Sequence, residues 1–377
     1  MIAGACSSTS ERSPTFAMPR RTTFVLPGRN RSGGVRVTME MGNRLMELGH
    51  SVRIVYRRPL LSLMWRGRVL AGSVIRRLRG AVHNDWLVNF RGPIECFDEL
   101  SDLDFERDEI VIAVGSKAVP HVRKLTAPVT RVRFCHGFHN FLPERMAAAW
   151  AFAMPTLTVS RNLIPGLIAY DGSSPIWTVP NGINLDSYFD ERRMRDGIGA
   201  IYAGSPAKCP QDTLLALEQI PRRVGARRYV FGENRRPRQL AMSEYWQLPS
   251  LEKARELYNR SKIWLLMSQA EGLPGPILEA MACGTAVVSS DNEGSREVIR
   301  HGENGLFFPI GDVRACAEAV ERLWNDDELR ARIVRGGMET ARAFSWDRAV
   351  RSMQSALDDL ITGRSRYADV SAVSPCS

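Results

Sequence analysis

With 377 residues, 44% of them hydrophobic and 24% charged, the chain is long enough for two α/β domains with full cores and has an ordinary globular composition. Its longest uncharged run, 146–160, is too short to span a bilayer, and its seven scattered cysteines, without a C-x-x-C pair, argue against a disulfide framework and a zinc site. The net charge of +10 is lopsided: residues 1–185 hold 24 Lys and Arg against 14 Asp and Glu, the remainder 27 against 27, so the first half is expected to face something anionic.

Residues 1–19 have neither the basic start nor the apolar stretch of an export signal. They read as a disordered tail, and the cytoplasm is the expected compartment. Thr22–Leu26 then predicts a strand, 27–34 a glycine-containing loop, Val35–Leu48 a helix with one apolar face, and Ser51–Tyr56 a second strand. Gly33-Gly34 has no Lys-Ser/Thr after it and no G-x-G-x-x-G spacing, so the loop is neither a P-loop nor a dinucleotide fingerprint. A glycine pair there permits close backbone approach to a ligand; a plain tight turn is the competing reading.

The segment 59–82 contains no acidic residue. On a helical wheel Leu60, Leu63, Met64, Leu70, Ala71, Val74, Ile75 and Leu78 share one arc, while Arg66, Arg68, Arg76, Arg77 and Arg79 fall on the other. With Trp65 near the boundary it reads as an interfacial helix on anionic lipid, or equally as a core-packed helix with solvated arginines. Further strands are expected at 109–114, 129–134, 156–159 and 176–179, with a helix at 161–170. His136 follows one of these strands beside Gly137, where ligands lie in an open α/β sheet. A lone histidine is often a packing residue, and both readings stay open.

Pro180-Asn181-Gly182 predicts a turn and a domain boundary. A second β/α series follows, with strands at 200–203, 228–231, 262–267, 286–290 and 305–309 and helices at 211–219, 252–258, 313–324, 328–336 and 346–361. Between the strand ending at Met267 and the helical spacing of Ile277, Leu278 and Met281 lies Glu271-Gly272-Leu273-Pro274-Gly275-Pro276, which its prolines and glycines keep out of regular structure. Glu271 is therefore expected on the loop at a strand's carboxyl end and Glu279 one turn inside the next helix, whose first N–H groups favour an anion.

Glu271-Gly272-Leu273-Pro274-Gly275-Pro276-Ile277-Leu278-Glu279, followed by Ala280-Met281-Ala282-Cys283-Gly284, resembles the E-x7-E motif of family-4 retaining glycosyltransferases of the GT-B fold. Asn292-Glu293-Gly294-Ser295-Arg296-Glu297, Asn304-Gly305-Leu306, Val179-Pro180-Asn181-Gly182, and Gly33-Gly34 ahead of Gly49-His50 match in the same order, so the resemblance covers about residues 22–360. It implies an acceptor-side Rossmann-like domain at 20–183, a donor-binding one at 184–345, a helix at 346–362 crossing back onto the first, and a polar tail at 363–377.

It also implies roles. Glu271 contacts the donor sugar, Glu279 the ribose hydroxyls, and Lys208 the diphosphate. Gly33, Gly34, Gly272 and Leu273, with Ser205 and Pro274 nearby, approach the donor, and His136 lines the reaction centre. Lysine, glycine N–H groups and helix N-termini suit a departing diphosphate without a metal, so no cofactor is expected. Where the family often has an arginine this chain has Ser205; Arg29, Arg31 and Arg36 are the candidates to compensate. The expected partners are a nucleotide-sugar donor, a glycan or lipid-linked acceptor and an anionic membrane surface. Nucleic acid is not expected, since no recognition motif accompanies the charge. Two other readings are a 2-epimerase on the same fold and a catalytically inactive sugar-nucleotide-binding protein at a membrane.

Overall fold

The computed structural model describes residues 21–29, 32–58, 86–137 and 148–364. The tail at 1–19 and the basic segment 59–82, with Trp65, Arg66, Arg68, Arg76, Arg77 and Arg79, lie outside the described residues, as does most of the tail at 363–377.

Two parallel sheets organise the molecule. The first has seven strands: β1 (Arg21–Leu26), β2 (Ser51–Arg57), β3 (Ile94–Phe97), β4 (Ile110–Val114), β5 (Thr130–Cys135), β6 (Thr156–Thr158) and β7 (Ile176–Thr178), in the order β3-β2-β1-β4-β5-β6-β7. The second has six: β8 (Gly197–Tyr202), β9 (Arg227–Gly232), β10 (Glu244–Gln247), β11 (Ser261–Leu266), β12 (Ala286–Ser290) and β13 (Leu306–Phe308), in the order β10-β9-β8-β11-β12-β13. Sheets covered by helices on both faces need strands that are apolar on both sides, and Phe24, Val25 and Leu26 of β1 are all fully buried. In each sheet the order reverses once, between β1 and β4 and between β8 and β11, and the crevice beyond the strands' carboxyl ends at such a point is where ligands bind.

The helices are α1 (Gly33–Glu47), α2 (Val119–Arg123), α3 (Ile164–Tyr170), α4 (Pro210–Val224), α5 (Leu251–Arg260), α6 (Gly275–Ala282), α7 (Glu293–Val298), α8 (Val313–Asn325), α9 (Asp327–Ala343) and α10 (Trp346–Thr362). The chain passes between the sheets where Ile183 bridges Ser345, its N–H donating to the Phe344 carbonyl at 2.8 Å. From there α10 runs back onto the first sheet's layer: Trp177 donates to Asp359 at 3.3 Å, and the Arg44 guanidinium lies 4.9 Å over the Trp346 ring. This matches the crossing helix expected at 346–362.

Several local expectations are corrected. Gly33 and Gly34 open α1 rather than closing a loop, because the Ser32 side chain accepts from the Val35 N–H and caps the helix at 32. The helix expected to stop at Gly336 continues to Ala343: a Cβ at 336 would lie 2.6 Å from the Glu303 carbonyl oxygen, so this glycine serves close packing and not termination. Strands β3 and β10 were not expected, since each is only four residues long, and β10 carries polar Glu244 and Gln247. The helix expected at 161–170 begins as a 3-10 turn, and α4 extends from the expected 211–219 to Val224.

Candidate active site

Both switch points open onto the same cleft. On the second sheet's side, the turn after β8 carries Lys208, and Cys209 takes up a left-handed conformation (φ 44°) directly after it. The loop after β11 carries Glu271, and a backbone hydrogen bond from Gln269 to the Ala207 carbonyl (2.9 Å) ties the two loops together. Lys208 Nζ reaches Glu271 Oε1 at 2.5 Å; the carboxylate side chain is 9% exposed and the lysine 35%. A Cβ on Gly294 of α7 would lie 2.5 Å from the Glu271 carbonyl oxygen, so only glycine lets α7 sit this close behind it. Asn292 caps α7 through Ser295 and also donates to the Ser268 carbonyl at 3.0 Å, which fixes the loop's other side.

Glu279 sits one turn into α6, and both of its oxygens are engaged. Tyr258 of α5 donates to Oε2 at 2.8 Å, while Arg36 of α1, from the other sheet's layer, donates to Oε1 at 2.6 Å. Tyr188 lies 3.5 Å from the same guanidinium, and Trp86 stacks on it at 5.0 Å. Burial alone lowers the Arg36 pKa, but the Glu279 carboxylate more than reverses this and holds the guanidinium above its ordinary value. Burial, with the same carboxylate, pushes the Tyr188 and Tyr258 hydroxyls up, so both remain protonated donors.

His136 follows β5 and joins the two sides of the cleft. A Cβ on Gly34 would lie 3.6 Å from its ring, and a Cβ on Gly272 would lie 1.9 Å from its carbonyl oxygen. Gly272 is therefore the point where the second sheet's loop presses on the first sheet's loop, a spacing that no side chain permits. The His136 ring packs on Phe134 at 4.2 Å, and burial pushes its pKa down to about 4, so the imidazole is neutral at pH 7. Its Nε2 is buried without a partner among the described residues.

Of the residues expected at the site, Glu271, Lys208, Glu279, Gly272, His136 and Gly34 gather in this cleft through the contacts above. Leu273 and Pro274 lead into α6, and the Leu273 side chain is in the core, so only its backbone is available to a ligand. Gly33, at the start of α1, and Ser205, in the turn after β8, are exposed. Three residues at the cleft were not assigned a role from sequence. Arg36 was only one of three candidate arginines, and nothing in the spacing of Tyr258 or Tyr188 ties them to Glu279. Among the described residues no three His, Cys, Asp or Glu side chains cluster as metal ligands, and no helix is long and apolar enough to cross a membrane.

Residues 245–340 match the family model of glycosyl transferases group 1. A phosphatidyl-myo-inositol mannosyltransferase of Mycobacterium leprae is 38% identical over 90 residues, 24% of this chain and 24% of that protein. An N,N'-diacetylbacillosaminyl-diphospho-undecaprenol alpha-1,3-N-acetylgalactosaminyltransferase of Campylobacter jejuni is 35% identical over 89 residues, again 24% of each chain. The matched stretch spans about a quarter of the length of these curated relatives. Over the fold as a whole, the crystal structure of HepE from Anabaena in complex with UDP-glucose aligns with a TM-score of 0.69 at 15% identity, covering 91% of this chain and 99% of that one. The two-sheet architecture is the GT-B fold.

Proposed function

We propose that this chain, whose residues 245–340 match the family model of glycosyl transferases group 1 and which carries the GT-B fold, is a retaining glycosyltransferase that moves a sugar from a nucleoside-diphosphate donor to a saccharide or lipid-linked acceptor in cell-envelope glycan synthesis. The observation that carries it is the convergence of both switch points on one cleft, where Lys208 and Glu271 stand 2.5 Å apart. Residues 184–345 hold the donor and 20–183 face the acceptor.

In this reading the donor's diphosphate takes over Lys208, and Glu271 turns to the sugar. The bond between C1 and the diphosphate oxygen breaks with both electrons leaving on the phosphate. Lys208 and backbone N–H groups of the glycine turns meet the charge that develops, in a site already built to receive it. Glu271 accepts hydrogen bonds from sugar hydroxyls and stabilises the electron-poor C1. The acceptor oxygen bonds to C1 on the face that the leaving group vacates, and its proton passes to the departing phosphate. Retention is the stereochemistry that the E-x7-E resemblance implies. The neutral His136 imidazole, with Nε2 free of other described partners, is suited to hydrogen-bond the sugar without adding a charge.

A lipid-linked acceptor is supported by the names of the two relatives and by the surplus positive charge of residues 1–185. The arginines of 59–82 extend this to a peripheral membrane surface, which co-sedimentation with anionic vesicles at low salt tests. The reaction needs no divalent cation, so turnover is expected to survive EDTA. The deciding experiment is a panel of nucleotide sugars scored for transfer and donor hydrolysis, with Glu271→Ala alongside. Wild type is expected to turn over at least one donor, and Glu271→Ala to lose turnover by about 10²-fold or more while keeping its fold. No nucleotide binding and no turnover with any donor would sink the proposal. Conversion of the free donor to an epimer without any acceptor would point to the epimerase reading.

A further inference from the structure

The carboxylate at the ribose side of the cleft has both of its oxygens engaged by the protein itself. Glu279 takes a guanidinium from the opposite sheet's layer on one oxygen and a tyrosine hydroxyl on the other. Tyr258 belongs to the second sheet's own layer and donates from full burial, so it is a fixed part of the carboxylate's seat. Arg36 is different. It comes from the first turns of α1, its side chain is 25% exposed, and its remaining partner on the second side is a 3.5 Å contact to the Tyr188 hydroxyl. Ribose hydroxyls are donors that compete for the same carboxylate oxygens, so a nucleotide and Arg36 cannot both use Glu279 Oε1 fully.

On the reading that Glu279 receives the ribose, we propose that Arg36 exchanges partners on donor binding: it releases Glu279 to the ribose and turns to the donor's diphosphate. Position favours this. Arg36 lies two residues after Gly34, whose Cα faces the His136 ring, and the His136 carbonyl in turn abuts Gly272 beside Glu271 and Lys208. The diphosphate is thus bracketed by Lys208 from one sheet and the start of α1 from the other. Chemistry favours it too. The turn after β8 presents exposed Ser205, which has no charge to offer, and a guanidinium donates two parallel hydrogen bonds to phosphate as readily as to a carboxylate. The exchange also spares the cleft an unpaired cation before the donor arrives, because Glu279 holds Arg36 until the diphosphate can.

The test is calorimetric binding of uridine, adenosine, guanosine and cytidine and their 5′-diphosphates to wild type, Arg36→Gln and Arg36→Lys. Wild type is expected to bind at least one nucleoside diphosphate in clear preference to its nucleoside. Arg36→Gln should weaken that diphosphate by about tenfold or more, the scale of a charge-assisted phosphate contact, while the nucleoside binds as well as before or better. Arg36→Lys should recover part of the preference. Parallel losses for nucleoside and diphosphate would show that Arg36 only holds the cleft together, and an unchanged diphosphate affinity, or a lysine variant no better than glutamine, would overturn the exchange equally. If wild type binds no nucleoside diphosphate at all, the donor site itself is misassigned, which is a separate failure.

Discussion

Two ion pairs of the same chemistry stand at the two ends of the stretch 271–279, and they are built differently. Lys208–Glu271 is local: both residues ride on loops after neighbouring strands β8 and β11, and a backbone hydrogen bond between the loops sets their spacing. Arg36–Glu279 is long-range: its partners come from opposite sheets, and its 2.6 Å length exists only while α1 and α6 face each other. On the proposed reading, the pair assigned to the transferred sugar is therefore preorganised within one sheet, and the pair assigned to the nucleotide reports whether the two sheets are closed. Both carboxylates are buried, and a charge so buried would be costly without its partner, so each end of the motif depends on its own pair.

The sharpest way to break the local pair is Lys208→Ala. In the proposed mechanism it removes the cation that meets the leaving group, and kcat should fall by roughly 10²–10³-fold, the usual cost of losing one preorganised charge-stabilising donor. Lys208→Arg should restore part of the rate; steady-state kinetics in which the alanine variant matches wild type would remove Lys208 from the mechanism.

The long-range pair is best broken without touching it. Gly272→Ala puts a methyl group where 1.9 Å separates its position from the His136 carbonyl oxygen, so the two loops must part. Displacement of about 1 Å at a reacting centre costs about 10²-fold in rate, and turnover should drop by that order. Lys208 and Glu279 both belong to the second sheet's side, so part of the nucleoside-diphosphate affinity should survive and its loss should be smaller than the loss of turnover. Equal losses in both would mean that the donor site itself depends on this contact.

A third effect is smaller and reads the junction between the two sides through stability. His136 has its pKa pushed down by burial to about 4 in the folded protein, against the ordinary 6.5 of an exposed histidine. Below pH 6.5 the unfolded chain takes up a proton that the folded chain refuses, so this group costs stability as pH falls towards 4 and costs nothing above 6.5. Between pH 7 and pH 4.5 the loss amounts to about 2.5 kcal/mol. Urea denaturation at the two pH values should show His136→Asn losing less than wild type by about that amount. Burial lowers the His50 pKa as well, but His50 is present in both proteins and cancels. Parallel losses in the two proteins would mean that the imidazole is not held neutral.

Much of this site was legible in the chain. The apolar runs that become β1, β4, β5 and β11, and the glycine and proline punctuation around 271–276, follow from period and turn chemistry, which act over a few residues. They place Glu271 at a strand's end and Glu279 inside α6, as the structure does. The same local rules misjudged Gly336, because a glycine that ends a helix and a glycine that lets another backbone come near look alike until the neighbour is known. Strands β3 and β10 escaped for a related reason, being short and marginal alone and formed by pairing with β2 and β9.

What the chain determined by itself is the chemistry carried at each position: carboxylates eight residues apart, a lysine after a strand, glycines where backbones approach, and a surplus of positive charge in the first half. What only the tertiary structure decided is who meets whom. Arg36 and Glu279 are 243 residues apart, and Ser160 of the first sheet's side donates to Glu297 of the second at 2.9 Å across 137. No periodicity encodes such pairs, because they arise from the approach of two sheets distant in sequence, set by buried area and by the few glycines that permit contact.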